Sequence, residues 1–202
     1  MPTVLITDAQ ERAMLAASRS LHRAGWAVHA AASERPAPGH WSRACARRFR
    51  VPDPRESPAQ FVENLARVLD DHGEDVLIPG SDASLLAISA NRDRVDGRSH
   101  IGLPDDDAVA RSLSKIALNE AARRAGFEVP ETVVCEDASG ALAAAKRLGY
   151  PVVVKPERSV FELDGRLHQR KAAVVYDQSS LAELLTRLGG RCLVQISRGF
   201  VR

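Results

Sequence analysis

Apolar residues recur along this chain in two rhythms: short β-branched runs, and longer stretches at helical spacing. Val4-Leu5-Ile6-Thr7 reads as a buried strand. Asp8, with Glu11 three residues on, reads as a capping box opening a helix from about Ala9 to Arg23, which Gly25 ends. Trp26 to Ala31 is the next strand. Strand, helix, strand over about thirty residues is a βαβ unit, which implies parallel pairing and a helix-covered sheet. Arg48 to Val51 fits an edge strand closed by Pro52 and Pro54. Ser57-Pro58-Ala59-Gln60 is a helix start, with Ser at the N-cap, Pro in the first turn and Gln at N3. Phe61, Leu65, Val68 and Leu69 then share one helical face, and Gly73 ends the helix. Asp75 to Pro79 is a strand, Gly80-Ser81-Asp82 is the turn at its carboxyl end, and a helix follows from about Ala83 to Ala90. Ser99 to Leu103 is a last short strand before Pro104. The first hundred or so residues therefore read as a doubly wound α/β domain with about five strands, whose ligand edge is the carboxyl end of the sheet.

From there the rhythm changes. Asp105 to Val109 starts a short helix, and Ser112-Leu113-Ser114-Lys115 begins a longer one striped by Leu113, Ile116, Ala117 and Ala121 and closed by Gly126. Pro130 to Cys135 is a strand, and Asp137 caps a helix that runs to Gly149. Gly149-Tyr150-Pro151-Val152-Val153-Val154-Lys155-Pro156 follows, a short buried strand with a lysine at its end and a proline that stops the ladder. An ammonium at the end of a buried strand loses hydration unless an anion meets it or it reaches solvent. The octapeptide alone leaves both readings of Lys155 open. Lys115 poses the same choice, because a cation in the first turn of a helix opposes the dipole unless it faces an anion drawn to the same end. Pro156 to His168 is polar enough for a loop or hairpin tip, Ala172 to Tyr176 is a strand, and Ser180 with Glu183 suggests a capping box for a helix carrying Leu181, Leu184, Leu185 and Leu188. Arg191 to Ile196 is the final strand. The second half is thus a small α+β unit.

Composition narrows the function classes. With 27% charged and 45% hydrophobic residues the chain is ordinary globular material. A net charge of +2 gives no electrostatic case for nucleic acid, and 4% aromatic residues argue against a base-stacking platform. Arginine carries most of the positive charge, since the lysines are only Lys115, Lys146, Lys155 and Lys171. Each retained lysine is then a better candidate for a specific task. Cys45, Cys135 and Cys192 are odd in number and far apart in sequence, so they make neither a disulfide framework nor a CxxC site, and a reducing, cytoplasmic setting is expected. No apolar run approaches a membrane span, and the N-terminus lacks the basic n-region of a signal peptide. His22, His29, His40, His72, His100 and His168 are scattered, without metal-ligand spacing. The first βα turn, Thr7 to Arg12, holds no glycine, so the dinucleotide fingerprint is absent and a nicotinamide dehydrogenase is not expected.

The order of elements resembles the N-terminal part of the ATP-grasp superfamily, in particular the carboxylate–amine ligases and carbamoyl-phosphate-synthase-like members. Four passages carry this: Ile78-Pro79-Gly80-Ser81-Asp82; Ser114-Lys115 leading through an apolar helix to Gly126-Phe127-Glu128-Val129-Pro130; Gly149 to Pro156; and Leu193-Val194-Gln195 with Gly199 beyond. The resemblance implies a Rossmann-like pre-ATP-grasp domain over residues 1–110 and a first ATP-grasp lobe over 111–202. It implies that Lys115 and Lys155 reach the triphosphate of ATP, two point charges on separate elements. It implies that Glu157 to Lys171 covers the phosphates, with contributions from Arg158, Ser159, Arg170 and Lys171, and that Gln195 and Ile196 meet the adenine edge through their backbone. Ser81 and Asp82 have a substrate-facing role or a plain turn role. Ile196-Ser197-Arg198 stands where the family often carries an acidic residue.

The family's second lobe, with the acidic residues and Asn that hold Mg²⁺ against ATP, would follow Arg202. The expected activity is that of an ATP-dependent C–N ligase working through an acyl phosphate on small carboxylate and amine substrates, with this portion supplying phosphate lysines and hinge. A split ligase whose second lobe comes from another chain, and a non-catalytic module binding a nucleotide or small acid, are the alternatives; among partners, a second chain supplying that lobe and a homodimer are both compatible with the sequence.

Overall fold

In the computed structural model, which describes residues 1–197, the chain forms two units. The first comprises Met1–Val109 with Glu162–His168, and the second Ala110–Phe161 with the chain from Gln169 onward.

The first unit is built on five parallel strands: β1 (Thr3–Ile6), β2 (Ala27–Ala32), β3 (Cys45–Arg50), β4 (Val76–Ile78) and β5 (His100–Ile101). Their order is β3-β2-β1-β4-β5, so the chain winds outward from β1 and then returns to the other side of it. That reversal between β1 and β4 is the topological switch of a doubly wound sheet. Alternation decides the two faces. Val4, Ile6, Val28, Ala30 and Ala32 pack with Met14, Ala17 and Leu21 of α1 (Arg12–Arg23). Leu5 and Leu77 point the other way and are buried, as are Phe61, Leu65 and Leu69 of α2 (Pro58–His72), which leans on α3 (Asp82–Ala90). Gly73 ends α2 in the left-handed region at φ +64°, as a C-terminal glycine should.

Two start signals turn out differently. Helix α1 begins at Arg12, with Glu11 at the N-cap and no side-chain cap bond. Asp8, at φ +56°, turns its carboxylate inward instead. It accepts from Thr7 Oγ1, from Gly80 N–H at 3.2 Å, from Ser81 Oγ at 3.0 Å and from Ser84 Oγ at 2.6 Å. Four donors outbid one capping bond, so Asp8 ties the carboxyl end of β1 to that of β4. Ser57 precedes α2 as expected but makes no side-chain cap bond.

The chain passes between the units inside α4 (Asp106–Leu113). The second unit holds α5 (Lys115–Arg124) and an antiparallel sheet of β6 (Thr132–Cys135), β7 (Val152–Pro156), β10 (Ala173–Val175) and β11 (Cys192–Ile196), ordered β10-β7-β11-β6. Helices α6 (Ala138–Leu148) and α7 (Gln178–Leu188) cover one face, where Val152, Val154, Val194, Ala141, Ala145, Leu181 and Leu185 form the core. Asp137 caps α6 through Gly140 N–H at 2.8 Å. Asp177 caps α7 through Ser180 N–H at 2.8 Å, so Ser180 lies inside the first turn rather than at the cap. The register sets Cys192 opposite Cys135, so two cysteines remote in sequence are neighbours in space, both buried free thiols. Burial, with the other thiol beside it, pushes Cys192 up to about 11. Between β7 and β10, β8 (Val160–Leu163) and β9 (Arg166–Gln169) form a hairpin whose tip, Asp164-Gly165, has both residues at positive φ.

Candidate functional site

The side of the second unit's sheet turned away from α6 and α7 carries the polar chemistry. Because side chains alternate, Val152 and Val154 enter the core while Val153 and Lys155 face the other way. Half-buried there, the Lys155 ammonium donates to Gln195 Oε1 at 2.7 Å. Gln195 Nε2 donates onward to Thr132 Oγ1 at 3.0 Å, and Thr132 donates to the Pro130 carbonyl at 2.8 Å. The relay crosses β7, β11 and β6, which are adjacent in the sheet. It fixes the Gln195 amide with its oxygen toward the lysine, since an ammonium only donates. No carboxylate lies within 4 Å of the Lys155 ammonium among the described residues. Its partner is neutral and takes only one of its three N–H groups.

The N-terminus of α5 docks beside the same strand end. Ser114 caps the helix, accepting from Ala117 N–H at 3.3 Å, and its hydroxyl donates to Glu157 Oε1 at 3.1 Å. Lys115 N–H donates to the Glu157 carbonyl at 3.0 Å, and Lys115 Nζ to Ser159 Oγ at 2.8 Å. Arg191 closes on the other Glu157 oxygen at 3.5 Å. The segment from Lys155 to Ser159 thus brings both lysines to one end of the sheet, with Glu157 as the buckle that holds the helix there. Two ammonium groups and a hydroxyl at a strand end and a helix N-terminus make a cationic cradle suited to an anionic chain of several phosphates.

Comparison with known proteins narrows what such a cradle belongs to. No family model matches the chain. It is 29% identical over 145 residues to the carbamoyl phosphate synthase large chain of Archaeoglobus fulgidus, a match covering 67% of this chain and 13% of that one. The L-amino acid ligase of Bacillus licheniformis superposes on 98% of this chain and 45% of its own, with TM-score 0.64 and 15% identity. N5-carboxyaminoimidazole synthetase of Staphylococcus aureus, solved with ADP, does so over 97% and 46%, with TM-score 0.58 and 15% identity. This is the fold of the N-terminal part of an ATP-grasp enzyme. The chain spans less than half of these solved chains and about an eighth of the carbamoyl phosphate synthase chain it matches.

Within that ATP-grasp fold, the residues singled out from the sequence fare unequally. Lys115 pairs with Ser159, and Lys155 pairs with Gln195. Ile196 pairs with Val152 at the end of β11, and its N–H donates to the Glu131 carbonyl at 3.1 Å. Arg158 is exposed and joins none of these bonds. Arg170 lays its guanidinium over the Phe161 ring at 4.0 Å and donates its N–H to the Ser159 carbonyl at 2.8 Å, while Lys171 is exposed. Gly199 lies outside the described residues. In the first unit Ser81 is the N-cap of α3, accepting from Ser84 N–H at 3.1 Å while donating to Asp8, which explains its presence structurally. Asp82 is exposed beside it, and both line a cavity of about 570 Å³ with Pro79, Leu85 and Leu103.

Glu157, Thr132 and Asp8 were not singled out as site residues by sequence reasoning. Glu157 follows the Lys-Pro pair directly, and an acid there invites a solvated-loop reading until its partner Ser114, 43 residues away, is known. Among the described residues no three His, Cys, Asp or Glu side chains converge so as to hold a metal ion.

Proposed function

We propose that the second unit binds the triphosphate of ATP, with Lys115 and Lys155 as the phosphate-holding cations and residues 111–202 as a first ATP-grasp lobe behind a pre-ATP-grasp domain at 1–110. The observation that carries this is the Lys155 ammonium, half-buried at a strand end and met, among the described residues, by a neutral amide oxygen and no carboxylate. Keeping a cation partly out of water beside a neutral partner costs free energy that an anionic ligand offsets. ADP in the synthetase of like fold supports the choice of nucleotide. The ligase and synthase names of the similar proteins support a role as the N-terminal portion of an ATP-dependent C–N ligase working through an acyl phosphate on a small carboxylate and an amine.

Bound ATP supplies the phosphoryl group that activates the carboxylate. The residues here orient and neutralise. Lys155, anchored by Gln195, presents its remaining N–H groups from a rigid strand. Lys115, whose ammonium donates to Ser159, stands in the first turn of α5, whose backbone dipole favours the same anion. Ser159 offers a hydroxyl, Gln195 and Ile196 offer backbone groups at the strand end for an adenine edge, and the segment 157–171 supplies a cover. Mg²⁺ accompanies ATP in this proposal. Ser81 and Asp82 are proposed to face the carboxylate substrate.

Calorimetric titration with ATP and Mg²⁺ tests the reading. Lys155→Ala and Lys115→Ala should each weaken binding on the order of tenfold or more, the worth of one charge-assisted hydrogen bond, with circular dichroism unchanged. Affinity left intact by both substitutions would overturn the assignment.

A further inference from the structure

The first unit holds a second basic site that the ATP reading does not use. A cavity of about 530 Å³ opens at the carboxyl ends of β2 and β3, lined by Arg35, Pro36, His40, Trp41, Arg48 and Arg50 among others. Its cations come from separate segments: Arg35 from the loop after β2, His40 from the 3₁₀ turn Pro38–Trp41, and Arg48 and Arg50 from the edge strand β3. Arginines on an edge strand commonly serve to discourage strand pairing. That role leaves unexplained why Arg35 and a half-buried histidine face the same hollow.

His40 reports the convergence. Its Nε2 lies 3.0 Å from the Ala30 carbonyl and therefore carries the proton, leaving Nδ1 as the second ring nitrogen. Burial holds His40 below the usual histidine value, the Ala30 carbonyl works against this, and the charges of Arg48, Arg35 and Arg50 lower it further. Three guanidinium groups thus act on one imidazole. None of the three pairs with a carboxylate among the described residues, and no acidic residue lines the cavity. Arg48 rests instead against the Trp41 ring, 5.9 Å from its centroid. Trp41 is 76% exposed, an unusual state for so large an apolar ring.

We propose that this cavity binds a small organic phosphomonoester. The guanidinium groups would hold the phosphate, whose planar oxygen pairs match the arginine fork. Pro36, Phe49 and Trp41 would wall the organic body, and the volume far exceeds that of a bare phosphate. Topology supports the placement, since doubly wound sheets take ligands beyond the carboxyl ends of their strands. The proposal is independent of the ATP reading.

The test uses the full chain with ribose 5-phosphate, ribose, inorganic phosphate and citrate, read by calorimetry and by the NMR titration of His40. Ribose 5-phosphate should bind saturably, ribose should not, and phosphate and citrate should bind on the order of tenfold more weakly. A bound dianion should raise the His40 pKa. Arg48→Gln with Arg50→Gln should remove the binding, with the thermal midpoint retained because both side chains are exposed. Lys155→Ala should leave it unchanged, which separates failure of this site from failure of the ATP site. No binding, equal binding of all three anions, persistence in the double arginine variant, or loss in Lys155→Ala would each overturn the proposal.

Discussion

Two charged side chains stand at strand ends in this molecule, and they are treated in opposite ways. Asp8, at the carboxyl end of β1, is buried and accepts from Thr7, Gly80, Ser81 and Ser84. Lys155, near the end of β7, is half-buried and has a neutral amide as its partner. The carboxylate is saturated by the protein's own donors, so its chemistry is spent on joining β1 to α3. The ammonium is positioned and left with donors to spare. A charge whose hydrogen bonds are complete holds a fold together, whereas one that is oriented but incompletely partnered is ready for a ligand.

Removing the saturated charge should have the largest effect. Asp8→Ala strands the hydroxyls of Thr7 and Ser84, both wholly buried, and should lower the stability of the first unit on the order of 3 kcal/mol, measured by urea unfolding. Loss under about 1 kcal/mol would mean that water replaces the carboxylate readily. Gln195→Glu sharpens the other side of the comparison. It supplies Lys155 with the anion it lacks, so the chain should stay folded while ATP binding falls on the order of tenfold. Unchanged ATP affinity in that variant would show that Lys155 does not face the phosphates.

The smallest effect is one of pH. Backbone and hydroxyl donors of Gly140, Ser139, Ser180 and Ser179 hold the Asp137 and Asp177 cap carboxyls below the usual value. A lowered folded-state value stabilises the ionised form. That contribution is complete above the ordinary aspartate value of about 3.9 and is lost as pH falls through the lower folded-state value. Stability of the second unit should therefore decline as pH drops below about 4, and less so in Asp137→Asn with Asp177→Asn. Equal acid sensitivity in the variant would remove the caps from the account.

What the sequence revealed follows how local each signal is. The Val-Val-Val-Lys-Pro run announced the strand and the lysine near its end, because the β-branched residues and the stopping proline lie within a few residues. Asp137 was legible as a cap because its acceptor role reaches only to Gly140. Asp8 was misread as a cap because its local pattern with Glu11 is a good one, while three of the four donors that hold it elsewhere lie 72 to 76 residues on. Glu157 and Thr132 escaped for the same reason. Each belongs to a network closed by tertiary contact, and their residue types are ordinary in loops and strands. The Cys135–Cys192 neighbourhood likewise depends on the register of β6 against β11, which no local pattern fixes.

The central claim, that Lys155 is held for a ligand rather than for the fold, is tested most directly by equilibrium unfolding of the wild-type chain and Lys155→Ala, with and without ATP and Mg²⁺. The account predicts equal stability without nucleotide, a gain of about 2.7 kcal/mol for the wild type at a hundredfold excess over its dissociation constant, and for the variant at the same concentration a gain of about 1.4 kcal/mol or less. A variant already destabilised without nucleotide, or one that gains as much as the wild type, would contradict it.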